Sequence, residues 1–196
     1  MSSSKYVMNR QKVRYEWNEI PWRKLEKFSF KLQKRIYRAS KSNNIKMMHS
    51  LQKLLLKSTS ARVLAVRRVT QDNRGKKTAG IDGKANLNQK ERMQLAYSMD
   101  LREKAKPSKR VWIPKPGKPL ERRPLGIPTI SCRAKQTLVK MILEPEWEAK
   151  FESNTYQLCF LKIFYLCNFA TLPNHVGNKN PFVIGIEFYV KQLLPA

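Results

Sequence analysis

The chain predicts an α+β fold that is predominantly α: N-terminal helices, a loop, one further helix, a basic β-hairpin and C-terminal helices. Three observations carry this. Apolar residues recur every three to four positions through most of the first 70 residues. Two short β-type runs flank Lys115-Pro116-Gly117-Lys118-Pro119, where proline and glycine favour a turn. Beyond them, Ser131 and Pro145 stand where helices commonly start.

Taken in order, Trp17, Ile20, Leu25, Phe28, Leu32 and Ile36 mark the apolar face of a first amphipathic helix, with Lys and Arg on its outer side. A Ser/Asn-rich break over 40–44 ends it. Ile45, Met48, Leu51, Leu54 and Leu55 then begin a second stripe of the same period. Ser58 or Ser60 is suited to cap a third helix, Ala61 to Val69, to which Arg62, Arg67 and Arg68 add positive charge. The stretch Gly75 to Gly83, GKKTAGIDG, is the clearest loop, because its three glycines permit conformations that other residues resist. Asn88 with Glu91 forms a capping-box pattern for a helix through about Leu101, with Leu95, Ala96 and Met99 on one face. The runs Arg110 to Pro114 and Leu120 to Ile127 give the hairpin. Ser131 is expected to cap a helix over Arg133 to Leu143, and Pro145 to open another through Trp147 to Phe151.

The 196 residues have room for one ordinary domain or a domain with an appendage. Their 40 Lys+Arg against 14 Asp+Glu give a net charge of +26, which works against compactness unless a polyanion neutralises it. Nucleic acid is the first candidate. A membrane partner is not expected: there is no lipidation motif or basic helix with a clean apolar face, and the apolar run Leu158 to Leu172 is shorter than a span and broken by Lys162. The first residues lack the apolar core of a secretory signal, and the odd set Cys132, Cys159 and Cys167 has no C-x-x-C spacing, as in a reducing compartment. At about Gln157 the chain changes character, for all but three of the basic residues and all but one of the acidic ones precede it.

Little catalytic chemistry is available. Polymerisation needs two divalent ions held by clustered carboxylates, yet Asp72, Asp82 and Asp100 fall in two loop-like places and at a helix end. Glu144, Glu146, Glu148 and Glu152 suit dipole compensation at a helix start and solvation. The glycine loop lacks the Lys-Ser/Thr pair of a Walker A motif, so its plain role is a tight turn with Asp82 bonding nearby backbone. His49 and His175 have no ligand-spaced companions, so no metal site is expected. The hairpin is different: Arg110, Lys115, Lys118, Arg122 and Arg123 crowd near one tip, a costly arrangement without an anion. Tyr15, Trp17, Trp22, Phe28, Phe30 and Tyr37 interleave with basic residues, and stacking on bases competes there with core packing; Trp112 is the best candidate for exposure.

The ordered blocks LQKRIYRA, LQKLLLKS, ARVLAVRRVT, GKKTAGIDG, RVWIPKPGKP, RRPLGIPTI and LEPEWEAKFESNTY resemble the N-terminal part of group II intron-encoded reverse transcriptase/maturases over about residues 17–156. The resemblance implies a helical N-terminal extension with its loop over 1–105 and the start of the fingers with a β-hairpin over 106–156. Residues 157–196 form a tail outside the family, for which disorder or misfolding stays open. It implies RNA as partner, intron or template, with the contacts on Arg67, Arg68, Lys76, Lys77, Thr78, Gly80, Asp82, Gly83, Arg110, Trp112, Lys118 and Arg122. Lys115 and Arg123 match positions that grip nucleotide phosphates once a palm is supplied, by a separately encoded palm/thumb polypeptide if at all.

There are two departures from the pattern. Cys132 stands where the family has Asp, costing a helix-start carboxylate and a local salt bridge to Arg133. The Gly-Phe-Arg-Pro-Gly block and the palm do not follow, so truncation before the palm is expected, with no polymerase activity for this chain alone and Mg2+ needed only in a complete polymerase. A split polymerase completed in trans and a remnant of a mobile element remain alternatives. The Lys-, Ile- and Asn-containing tail favours a plastid, with a mitochondrion or bacterial cytoplasm as alternatives.

Overall fold

Residues 16–151 are described by a computed structural model. Tyr15, Glu152, Cys159, Cys167, His175 and the expectations for the tail lie outside the described residues. The order is a 3-10 turn Trp17–Glu19, α1 Trp22–Lys41, α2 Ile45–Lys57, α3 Thr59–Arg67, α4 Gln89–Ser98, β1 Lys109–Lys115, β2 Lys118–Ile127 and α5 Ile130–Lys150. The predicted class, mostly helical with a small antiparallel ribbon, is what this arrangement shows.

The first helix begins later than its apolar spacing suggests. Pro21 disfavours helical backbone at Ile20, which is extended (φ −63°, ψ 124°), so α1 starts only at Trp22. Trp17 still joins the core through an edge-on contact with Trp22 at 5.2 Å, and its Nε1 donates to Gln71 Oε1 at 3.3 Å. The buried face of α1 centres on Ser29, Leu32, Ile36 and Ala39, leaving Phe28 exposed rather than on the core face. A similar rotation occurs in α2. Asn44 caps it by accepting from Met47 N at 3.1 Å, and Met48, Leu51, Gln52, Leu55 and Leu56 point inward while Ile45 and Leu54 do not.

Ser58 occupies the N-cap position of α3 without a side-chain cap bond, so the expected hydroxyl cap is not made. The helix continues past Arg67 as a π-helical turn, Arg68–Asp72, closed by Asn73 N donating to the Arg68 carbonyl at 2.9 Å. The capping box of α4 forms as predicted: Glu91 N donates to Asn88 Oδ1 at 2.9 Å and Asn88 N to Glu91 Oε2 at 2.8 Å. That helix stops at Ser98, short of Leu101, although Met99 and Leu101 are buried beyond it.

The C-terminal helices of the sequence reading are one helix. Thr129, not Ser131, caps α5, its hydroxyl accepting from Cys132 N at 3.3 Å. Pro145 lies inside the helix instead of starting a new one. A proline there removes the donor that the carbonyl four residues earlier, Met141, would otherwise receive. Gln33 of α1 replaces it, Nε2 donating to the Met141 carbonyl at 2.9 Å. The far end of α5 is tied to α1 and α2 by Glu146: its carboxylate accepts from Gln52 Nε2 at 2.8 Å and Lys150 Nζ at 2.6 Å, and its carbonyl accepts from Ser40 Oγ at 3.1 Å. Glu146 is only 7% exposed, so the glutamate cluster is neither at a helix start nor merely solvated.

Ile36, Leu55, Leu138 and Ile142 are among the fully buried side chains where α1, α2 and α5 meet. The buried core runs from Trp17 to Ile142 and so continues across the boundary expected at 105/106. Lys135, 9% exposed on α5, bonds Glu103 Oε2 at 2.7 Å. That hydrogen bond first, and the ammonium charge second, hold the Glu103 carboxyl below its usual range.

Two outcomes follow from these contacts. Gln33→Leu should lower unfolding free energy in urea by about 1–3 kcal/mol, the usual cost of a stranded buried acceptor. Pro145→Ala restores a backbone donor to Met141, so the same Gln33→Leu change should then cost much less; equal losses in both backgrounds would refute the carbonyl as the reason. For Glu103, the folded-state pKa is depressed, so its contribution is present above the unfolded carboxyl pKa and lost as pH falls through the folded value. Glu103→Gln should therefore be less stable than the parent at neutral pH, with the gap closing as pH falls through the depressed folded-state value; a gap constant with pH would sink this assignment.

Candidate nucleic-acid interface

The hairpin pairs Arg110 with Gly126, Val111 with Leu125, Trp112 with Pro124, Ile113 with Arg123 and Pro114 with Arg122, and the register shifts between Pro114 and Lys115. Alternate residues share a face. Arg110, Trp112 and Arg122 thus stand together on one side, and Trp112 is 55% exposed, as its sequence context suggested. Arg123 shares the other face with Val111 and Ile113. Lys115 and Lys118 sit at the turn, where Gly117 takes a positive φ of 74°.

The tip is less bare of counter-charge than the count of cations implies. Lys115 Nζ donates to Glu121 Oε2 at 2.5 Å and Lys118 Nζ to Glu121 Oε1 at 3.3 Å. These bonds, Lys115 first, hold the exposed Glu121 carboxyl below the usual carboxylate range. Sequence reasoning missed Glu121, though its three-residue spacing from Lys118 across a short turn was the available signal. No such carboxylate faces Arg110 or Arg122 among the described residues.

The glycine loop folds at the root of the hairpin, about 20 Å along the ribbon from its tip. Arg74–Lys77 form a 3-10 turn, and Gly83 N donates to the Gly80 carbonyl at 3.3 Å in the expected tight turn, with Asp82 Oδ1 accepting from Lys84 N at 3.4 Å. Gly80 has no room for a side chain: a Cβ would lie 2.8 Å from Thr129 Cα and 2.9 Å from Thr129 N. Gly83, with φ 67°, meets nothing within 4 Å and is required by conformation instead. From α5, Arg133 donates Nη1 to the Gly75 carbonyl at 2.8 Å and Nη2 to the Thr78 carbonyl at 2.6 Å. Burial lowers the Arg133 pKa, and nearby Asp82 partly offsets this. Where a salt bridge to the residue replaced by Cys132 was expected, Arg133 grips loop carbonyls and the Thr129 hydroxyl supplies the cap.

Several predicted contact residues are already engaged. Lys76 Nζ donates to the Gln71 carbonyl at 2.9 Å, closing the π-turn. Arg67 bonds Glu26 at 3.1 Å, lies 3.7 Å from Asp72 and stacks 4.6 Å over Trp22. Lys77, Thr78 and Arg68 remain exposed. Of the interleaved aromatics, Trp17 is core, Trp22 is half-buried, and Phe28, Phe30 and Tyr37 are exposed. Asp72, Asp82 and Asp100 are dispersed over the π-turn, the loop and the end of α4; His49 is half-buried on α2. Among the described residues, no three of His, Cys, Asp and Glu come together as metal ligands, and no helix is long and apolar enough to cross a membrane.

A helical bundle carrying a glycine loop at the root of a basic hairpin is the arrangement that the family resemblance anticipates. Residues 17–99 match the N-terminal domain of reverse transcriptase. Among curated relatives the chain is 36% identical over 140 residues to maturase-like protein 1 of Euglena gracilis, covering 66% of this chain and 29% of that one. It is 31% identical over 144 residues to maturase-like protein 1 of Euglena longa, covering 68% and 30%. Protein YkfC of Escherichia coli (strain K12) is 34% identical over 113 residues, covering 54% and 29%. The chain thus spans less than a third of the length of these relatives.

The Arg133 contacts give a direct test of the loop. Arg133→Ala should raise amide hydrogen exchange across residues 76–84 by about tenfold, as expected when charge-assisted bonds to carbonyls are lost at a partly exposed site. Exchange in α2 should not change; unaltered loop protection would show that Gly80 packing alone holds it.

Proposed function

We propose that this chain binds RNA as part of a group II intron maturase, through an electrostatic surface formed by the hairpin and the loop at its root. The observation that carries this is the hairpin face bearing Arg110, Trp112 and Arg122: two guanidiniums without a facing carboxylate flank an exposed indole. Guanidiniums match phosphates, and the indole offers a stacking plane. Lys77 extends the cationic surface from the root, and exposed Thr78 adds a hydroxyl beside it. Lys115 and Arg123 sit on or towards the other side and serve nucleotide phosphates only when a palm accompanies this chain. Assistance to intron splicing and residence in a plastid belong to the same proposal, supported by the two Euglena maturase-like relatives; absence from purified plastids would refute the location.

With structured intron RNA in a filter-binding assay, affinity should fall by one to two orders of magnitude between about 50 and 200 mM salt, as for three to four phosphate contacts. Arg110→Ala with Arg122→Ala should weaken binding and lower the salt slope by about two. Glu121→Gln, which releases Lys115 and Lys118, should tighten it. Salt-independent binding, or none, overturns the reading.

A further inference from the structure

We propose that the trough between α1, α3 and α5 is a subsite for one unstacked nucleobase of the bound RNA, an inference that rests on the RNA-binding reading and gives it a specific pocket. The cavity measures about 500 Å3, within the range of small-ligand sites. Its lining is mixed in a way that suits a base better than a bare phosphate. Leu64 and Met141 supply apolar walls, and Phe30, 56% exposed, supplies an aromatic plane. Lys34 Nζ lies 4.8 Å from that ring, leaving a cation over it as well. Ser29 also lines the cavity; it is 2% exposed, and its hydroxyl has no hydrogen-bond partner. A buried hydroxyl without a partner is costly, and an occupant carrying both donors and acceptors on its edge would satisfy it.

The charges around this trough are divided. Glu26 and Asp72, held by Arg67, put carboxylates at the wall, which repel a phosphate and accept from base amino groups. Arg68, exposed in the π-turn, and Lys27 provide cations for the phosphates flanking such a base. Arg68 and Asp72 both line this cavity from the π-turn, and such turns often mark functional places.

The test uses the full chain and two RNA hairpins, identical except that one carries a single bulged 2-aminopurine. The parent should prefer the bulged RNA and quench its 2-aminopurine fluorescence. Phe30→Ala, at an exposed position, should lose roughly tenfold in affinity for the bulged RNA, abolish the quench and leave the paired RNA unaffected. Arg122→Ala should weaken both RNAs alike. No preference for the bulge, or a Phe30→Ala effect that is nil or equal on both RNAs, overturns the pocket and leaves the RNA-binding reading intact. Failure of the parent to bind either RNA overturns both.

Discussion

Pro145 has no amide hydrogen to give to the Met141 carbonyl, and the organisation of the chain depends on Gln33 giving one instead. With that bond in place, α5 runs unbroken from Ile130 to Lys150, about 30 Å at 1.5 Å per residue. One helix can then serve two distant places. Near its start, Thr129 and Arg133 hold the glycine loop; near its end, Glu146 gathers Gln52 of α2 and Ser40 of α1. A break at Pro145 would cut Glu146 and its links to Gln52 and Ser40 off from the part of α5 that holds the loop.

The charge of +26 is not simply an excess waiting for a ligand. Part of it is consumed inside the fold. Arg67 joins Glu26 to Asp72 and covers Trp22, Lys76 closes a helical end, Lys135 holds Glu103, and the two lysines at the ribbon tip share Glu121. What remains outward includes a guanidinium pair around Trp112, the exposed loop residues and Arg68 beside its cavity, together with the lysines and arginines along the outer face of α1.

Local signals in the sequence were legible where the cause is itself local. The capping box at Asn88 and Glu91, the turn at Gly117, the strand runs and the exposure of Trp112 depend on neighbours within a few residues or on alternation. The continuity of α5 was not legible, because the donor that makes Pro145 tolerable lies 108 residues from its acceptor. For the same reason Arg133 could not be assigned to carbonyls more than 50 residues away, nor Arg67 to Glu26. Helix faces were misjudged by a fraction of a turn at Phe28, Ile45 and Leu54, since periodicity locates a stripe but only packing fixes its centre. Of the candidate site, the hairpin face could be read from alternation, whereas the trough depends on three separated helices.

The contact at Gly80 has a mechanical meaning. Pro128 and Thr129 follow directly after β2 and abut the loop backbone with no side chain between them to absorb displacement. A pull on the ribbon reaches that joint before it reaches the helices. The end of the ribbon and the loop thus share one joint at the first turn of α5, where a side chain at position 80 would have to push them apart.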